Sequence, residues 1–372
     1  MLNVLNIIPY NFLPAKMGGQ KCIALEYQFL SKLVNLTCAT TVNNNSNEVE
    51  YELINVFSSS KLRYVNIFYF FSLRKIIKQK KISHLIIEHP YYGWLAILLK
   101  SFCNVKFIIR SQNIEAERFR SLNKWWWKIL WHYEKLVHQS ADLSFFITEF
   151  DMTYALANFK LNPTKCTIFT YGFELQQIPN IENKIAATKS IKERYFISAD
   201  ENILLFNGTL NYKANLNALD IILTQINPIL LQQNLFKYKI IICGKNLPES
   251  YNDLSEYNAK NIIYAGFVND IVEYYLATDI FINPVNEGGG IKTKIVEALG
   301  YNVSLVTTKS GAIGIPENIV GTKMKVIENE DWQGFANAIT SINIHSNIPT
   351  TYFEHFYWGN IAKNAATAIS SC

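Results

Sequence analysis

The chain has 372 residues, 49% of them hydrophobic and 17% charged, with a formal net charge of +5. That balance excludes a disordered chain, and at about 100–200 residues per domain it points to two cores. The longest apolar run, Tyr91 to Leu99, is far short of the roughly 20 residues that span a bilayer, so no transmembrane helix is expected. The six cysteines are scattered and never form a CxxC pair, which removes the spacing of a zinc site or a disulfide framework.

The opening "MLNVLNIIPYNFLP" lacks a basic leader and a small-residue cleavage site, so it reads as the first strand of a protein expected in the cytoplasm. From there, short β-branched or aromatic runs alternate with longer segments of helical period, the pattern of parallel strands joined by crossover helices. The fold class is α/β. Strands are expected near Asn3–Ile8, Asn35–Thr41, His84–Glu88, Val105–Arg110, Leu143–Ile147 and Thr167–Phe169, and helices near Gln20–Leu33, Tyr91–Lys100 and Asn123–Gln139. The polar tract Asn43–Glu50 reads as a loop, and Glu174–Lys189 has the weak periodicity of an interdomain linker. The pattern then restarts with "NILLF", "KIIIC", "NIIYA" and "DIFIN", beginning at Asn202, Lys239, Asn261 and Asp279, which gives a second doubly wound domain. The expected division is 1–180, 181–350 and a final helix in 351–372 that packs back towards the N-terminal domain.

In open α/β sheets, ligands bind beyond the carboxyl ends of the strands, where glycines admit phosphates and helix N-termini supply N–H donors. Four stretches have that form: "KMGGQK" from Lys16, "FNGTLNYKAN" from Phe206, "CGKN" from Cys243 and "NPVNEGGGIKTKIVEALG" from Asn283. None is a GxGxxG fingerprint or a P-loop, so a nicotinamide dehydrogenase or an NTPase loses its main support. Each turn alone is an ordinary strand-to-helix turn; four on the same edge favour a ligand site.

In order and content these motifs resemble the retaining, nucleotide-sugar-dependent glycosyltransferases of family 4 ("group 1"). The resemblance covers nearly the whole chain and rests on "MGGQKCIALEYQFL", "IIRSQNIEAERFR", "FNGTLNYKANLNAL", "YAGFVNDIVEYYLATDIFINP" and "GGGIKTKIVEALGYNVSLVTTKSGAIGI". It implies a GT-B fold, two facing Rossmann-like domains with a cleft between them, the first holding the acceptor and the second the donor. It also implies donor contacts from Gly208, Gly244, Phe267, Asp270, Glu287, Gly288, Gly289, Gly290 and Ile291. Glu297 would take the ribose hydroxyls, Lys292 and Lys294 the charge of the departing diphosphate, and Gly18 and Gly19 the diphosphate from across the cleft. Cations and aimed N–H groups stabilise such a leaving group as its charge grows. Surface lysines beside a glycine loop are the plainer alternative.

Two departures matter. The family motif has two glutamates, and where the first is expected, eight positions before Glu297, this chain has Gly289; either Glu287 or backbone N–H groups must replace it. Where relatives carry a His-Asn pair, this chain reads Gln112-Asn113, and Gln cannot exchange a proton near neutrality. In the mechanism usual for the family the departing phosphate accepts the acceptor's proton, so no protein base is required. His89, at a strand end in "EHPYYG", is a further site candidate, with a structural His the equal alternative. The chain has no DxD pair, so no metal or other cofactor is expected. A sugar-nucleotide epimerase of the same fold and a non-catalytic sugar-nucleotide-binding subunit remain alternatives.

The first 180 residues carry 20 Lys+Arg against 12 Asp+Glu, and the remainder 15 against 18. "LNKWWWKILWHYEKLVHQ", from Leu122 to Gln139, gathers four of the seven tryptophans beside lysines. Core packing is its plainer reading; with the basic run Arg74–Lys81 it also fits a peripheral helix on anionic lipid. The expected partners are therefore a nucleotide sugar, a saccharide or lipid-linked saccharide acceptor and an anionic membrane surface, and no nucleic acid.

Overall fold

A computed structural model describes residues 1–15, 18–45, 49–233 and 235–372. Among them thirteen strands form two sheets, each pairing parallel. The first sheet holds β1 (Asn3–Ile7), β2 (Asn35–Thr41), β3 (Glu52–Phe57), β4 (His84–Glu88), β5 (Lys106–Ser111), β6 (Leu143–Phe146) and β7 (Cys166–Ile168), in the order β3-β2-β1-β4-β5-β6-β7. The second holds β8 (Asn202–Asn207), β9 (Tyr238–Cys243), β10 (Ile262–Gly266), β11 (Ile280–Asn283), β12 (Ser304–Thr308) and β13 (Met324–Ile327), in the order β10-β9-β8-β11-β12-β13.

Crossover helices cover these sheets, so the central strands are continuous apolar runs; Leu85, Ile86 and Ile87 of β4 and Phe107, Ile108 and Ile109 of β5 are wholly buried. Strand order reverses between β1 and β4 in one sheet and between β8 and β11 in the other. Such a reversal splays the loops at the carboxyl ends apart and opens a crevice for a ligand.

The chain divides into two compact units, Met1–Gly172 with Phe356–Cys372, and Phe173–His355. In the first, the helix Trp358–Ser370 packs on the helix Gly18–Leu30. Trp358 is fully buried against Gly172, where a Cβ would fall 2.3 Å from its indole. Among the described residues no helix is long and apolar enough to cross a membrane.

Two expectations are corrected. Residues 181–195, which begin inside the stretch read as a linker and run past it, form a helix of the second unit: the Asn180 side chain caps it by accepting from the Glu182 N–H (3.1 Å), and Arg194 reaches Glu273 (2.9 Å) on the neighbouring helix Ile271–Ala277. Only Ala187 and Ile191 of this helix are buried, too few to show a period in sequence. The tryptophans are core only in part: Trp131 packs half-buried against the cluster of Ile114, Phe146, Ala155 and Phe159. The helix Trp127–Ser140 buries Leu130, Glu134, Val137 and His138, a stripe that leaves Trp127 and Trp131 half-buried at its flanks, while Trp125 ahead of it is 84% exposed. Arg120 lies 5.0 Å from the ring of Trp127 and Lys135 5.2 Å from that of Trp131, each a cation over an indole face.

Candidate functional site

In the second unit the site is built where β8 ends. Asn207 closes the strand and Gly208 follows, and the glycine lets the Asn215 side chain approach, since a Cβ would come within 2.6 Å of its nitrogen. That close approach brings Asn215 back over the turn, its Nδ2 donating to the Thr209 carbonyl (3.1 Å). Its Oδ1 and the Asn207 carbonyl then both accept from Lys294 Nζ, each at 3.1 Å, while the ammonium stands 4.4 Å from the Phe206 ring centroid. Burial, with Lys292 nearby, pulls the Lys294 pKa down from 10.5 to about 7. An ammonium desolvated to this degree gains most from the arrival of an anion. Gly244, at the end of β9, permits the same packing from the next strand, since a Cβ there would fall 2.2 Å from the Gly208 carbonyl oxygen.

The glycine loop after β11 is folded on its own lysine. Lys292 Nζ donates to the carbonyls of Gly288 (2.8 Å), Gly289 (3.2 Å) and Gly290 (3.0 Å), and Gly288 and Gly290 take positive φ (89° and 69°). Lys292 thus holds the loop, a different task from Lys294. Glu287 is exposed and bound to the helix Lys213–Ile221, accepting from Asn217 Nδ2 (2.8 Å) and pairing with Lys213 (3.3 Å). Ile291 is half-buried between the loop and the helix Thr293–Gly300.

On that helix Glu297 accepts from the Tyr275 hydroxyl (3.0 Å), which in turn accepts from Asn207 Nδ2 (2.8 Å). Tyr275 is buried and stacked on Tyr301 (5.5 Å, 12°). One chain of contacts therefore joins Glu297, Tyr275, Asn207 and Lys294 at the reversal between β8 and β11. Asn207, Asn215 and Tyr275 are its unforeseen members: the first two lie inside a turn singled out in the sequence, whereas Tyr275 looks like any core tyrosine. Asp270 caps the helix Ile271–Ala277 by accepting from the Val272 N–H (2.9 Å), a structural task. Phe267 is 69% exposed beyond β10 and free to cover a planar group.

The first unit carries a second cluster at its own reversal point. Arg110 of β5, fully buried, pairs with Glu26 and with Glu88 (3.1 Å). Burial pushes the Glu26 carboxyl well above the usual carboxylate range against the pull of Arg110. Glu88 also accepts from the Tyr27 hydroxyl and from Gln112 Nε2 (2.8 Å), and Gln112 Nε2 donates further to the Tyr10 hydroxyl (3.1 Å). A carboxylate only accepts, so the Gln112 amide is turned nitrogen-inward and its oxygen is left to receive a proton donor.

His89 is buried at a positive φ of 61°, its Nδ1 3.4 Å from Glu115. Burial works to raise the Glu115 pKa, but His89 above all, then Arg118 and the Tyr91 hydroxyl, bring it to about 2. Gly18 and Gly19 open the helix Gly18–Leu30, with open space where a Gly19 Cβ would stand; their neighbours Lys16 and Met17 lie outside the described residues. Among the described residues no group of His, Cys, Asp and Glu is placed to hold a metal ion.

Comparison with known proteins places these features. Residues 201–343 match the family model described as Glycosyl transferases group 1. An uncharacterized 44.6 kDa protein in the cps region of Klebsiella pneumoniae is 27% identical over 259 residues, 66% of this chain; the chain spans 62% of that relative's length. Similarity of fold extends over the whole chain to a glycosyltransferase from Rickettsia africae, at 16% identity and a TM-score of 0.74, covering 98% of that protein. It extends likewise to HepE from Anabaena, solved in complex with UDP, at 13% identity and a TM-score of 0.72 with both chains fully covered. The two Rossmann-like units are those of the GT-B fold.

Proposed function

From the match of residues 201–343 to the family model Glycosyl transferases group 1, we propose that this chain moves a glycosyl group from a nucleotide-diphosphate sugar to a saccharide or lipid-linked saccharide acceptor, with retention at the anomeric carbon and without a divalent ion. The observation that carries the proposal is the buried ammonium of Lys294, held by Asn207 and Asn215 at the strand reversal. The bond from the anomeric carbon to the diphosphate oxygen breaks and one to the acceptor oxygen forms on the same face. The acceptor's proton passes to the departing diphosphate. Lys294 meets the charge that grows on this leaving group, which is the contact that strengthens in the transition state. Glu297 takes the ribose hydroxyls, and Gln112 accepts from a hydroxyl of the sugar or acceptor. A nucleotide sugar as donor is supported by HepE, which has also been solved with UDP-glucose. Envelope polysaccharide synthesis as the setting is supported by the relative in a cps region.

The test is a panel of nucleotide sugars scored for protection against thermal unfolding, followed by turnover with the donor selected. A donor at 100 times its Kd adds about 2.7 kcal/mol of stability. Protection by no member of the panel overturns the donor reading. Turnover without an acceptor makes the protein an epimerase, protection without turnover a binding subunit, and an inverted product removes retention. EDTA is expected to leave transfer unchanged; loss restored by Mg²⁺ or Mn²⁺ would remove the lysine-based account of the phosphates.

A further inference from the structure

Residues 53–87 contain seven Lys or Arg and no Asp or Glu. The fold leaves large apolar side chains of this stretch in water. Leu62 and Val65, in the turn Lys61–Val65, are exposed, and at the start of the helix Tyr69–Lys80 Phe68 is 72% and Phe71 61% exposed. They are not a core face out of place, because the helix already buries its own stripe, Tyr69, Leu73 and Ile77. The surface continues onto the end of the helix Gly93–Cys103: the Phe70 ring meets Phe71 (5.5 Å) and Phe102 (5.8 Å) edge to face, and Phe102 is 67% exposed. Lys61, Lys75 and Lys78 are exposed along the same segment. Contiguous apolar surface rimmed by charge marks a contact site.

We infer that this surface of the first unit seats on an anionic lipid bilayer, the phenylalanines entering the headgroup boundary and the lysines meeting lipid phosphates. A second copy of the same face would set like charges against each other across the apolar contact, whereas an anionic bilayer supplies both the apolar phase and the opposite charge. The tryptophan segment is less suited. Two of its three lysines, Lys128 and Lys135, already stand over the faces of Trp127 and Trp131. Docking of this kind needs no donor, so it stands or falls separately from the transfer reaction.

Flotation of the full chain with phosphatidylcholine vesicles, with and without phosphatidylglycerol, tests the inference, and circular dichroism melts check that each variant folds. The wild type is expected to float with phosphatidylglycerol vesicles at low salt and less at high salt. Lys75→Gln with Lys78→Gln should weaken partitioning on the order of fivefold per lysine at low salt and little at high salt. Phe68→Ser with Phe71→Ser should abolish flotation at both, and Phe102→Ser alone should weaken it, giving a single-site variant should the double one not fold. Absence of flotation at low salt, or flotation indifferent to the phenylalanines, overturns the inference. So does a sedimenting dimer that the phenylalanine variants dissolve, which would make the face a contact between copies.

Discussion

On the proposed reading, donor binding at Lys294 is a proton-coupled event. Its pKa near 7 in the free protein comes from burial, and the neutral amine prevails above that pH. The diphosphate of a nucleotide sugar is a diester with no proton to lose near neutrality, so proton exchange on binding reports the protein. Bound phosphate draws the ammonium's pKa upward. Binding should then take up about 0.2 proton at pH 6.5 and nearly one at pH 8.5, and apparent affinity should fall about tenfold per pH unit above 7. The same shift sets the sign for stability without donor. The unfolded chain holds this proton up to 10.5 and the folded one only to about 7. Unfolding therefore takes up a proton across that window, and Lys294 contributes stability that rises with pH through it. Lys294→Met should weaken donor binding by about 2–3 kcal/mol, roughly 30- to 150-fold, the size of a hydrogen bond to a charged group. It should also abolish the proton uptake. Isothermal titration calorimetry in buffers of different ionisation enthalpy measures both with the donor chosen by the thermal panel. Equal proton uptake by wild type and Lys294→Met would refute the reasoning, whatever the change in affinity.

Gly208→Ala should displace Asn215 from Lys294 and weaken donor binding by about 1–2 kcal/mol without loss of fold, and Asn215→Ala should match it in the same titration. Glu297→Ala should weaken nucleotide binding about tenfold, with Tyr275→Phe less affected, because the phenol only steadies the carboxylate; equal affinities for all three proteins would remove Glu297 from the site. Glu88→Gln takes away a carboxylate partner of the buried Arg110 and should cost about 3 kcal/mol in urea unfolding; an unchanged midpoint would mean that Glu26 alone balances the guanidinium.

The central strands are legible in sequence because burial on both faces leaves them no polar positions: β2 and β4 fall at the residues their composition marks. Strand β3 is not, since it is an edge strand whose faces are largely half-exposed and whose apolar run, "LINVF", follows a polar tract. The glycine turns, the motif order and Glu297 are visible because a bare backbone and its spacing survive translation into letters. What links them is not. Lys294 finds Asn215 79 residues upstream, and Asn207 finds Tyr275 68 residues on, distances that only the strand order closes. Lys292 and Lys294 look equivalent as letters two apart, yet one clasps its own loop and the other is buried beneath the turn after β8. In the same way Arg74–Lys81 stands out only as charge; that it abuts unburied phenylalanines depends on which side of the helix faces the sheet.

The return of Phe356–Cys372 to the first unit bears on how the protein is made. A ribosome synthesises the second unit before the segment that carries Trp358, so the N-terminal part of the nascent chain cannot complete its packing by itself. Until residues 356–372 emerge, Gly172 lacks the indole that covers it and the helix Gly18–Leu30 lacks its neighbour. The packing of the first unit is therefore completed only after residues 173–355 have been synthesised.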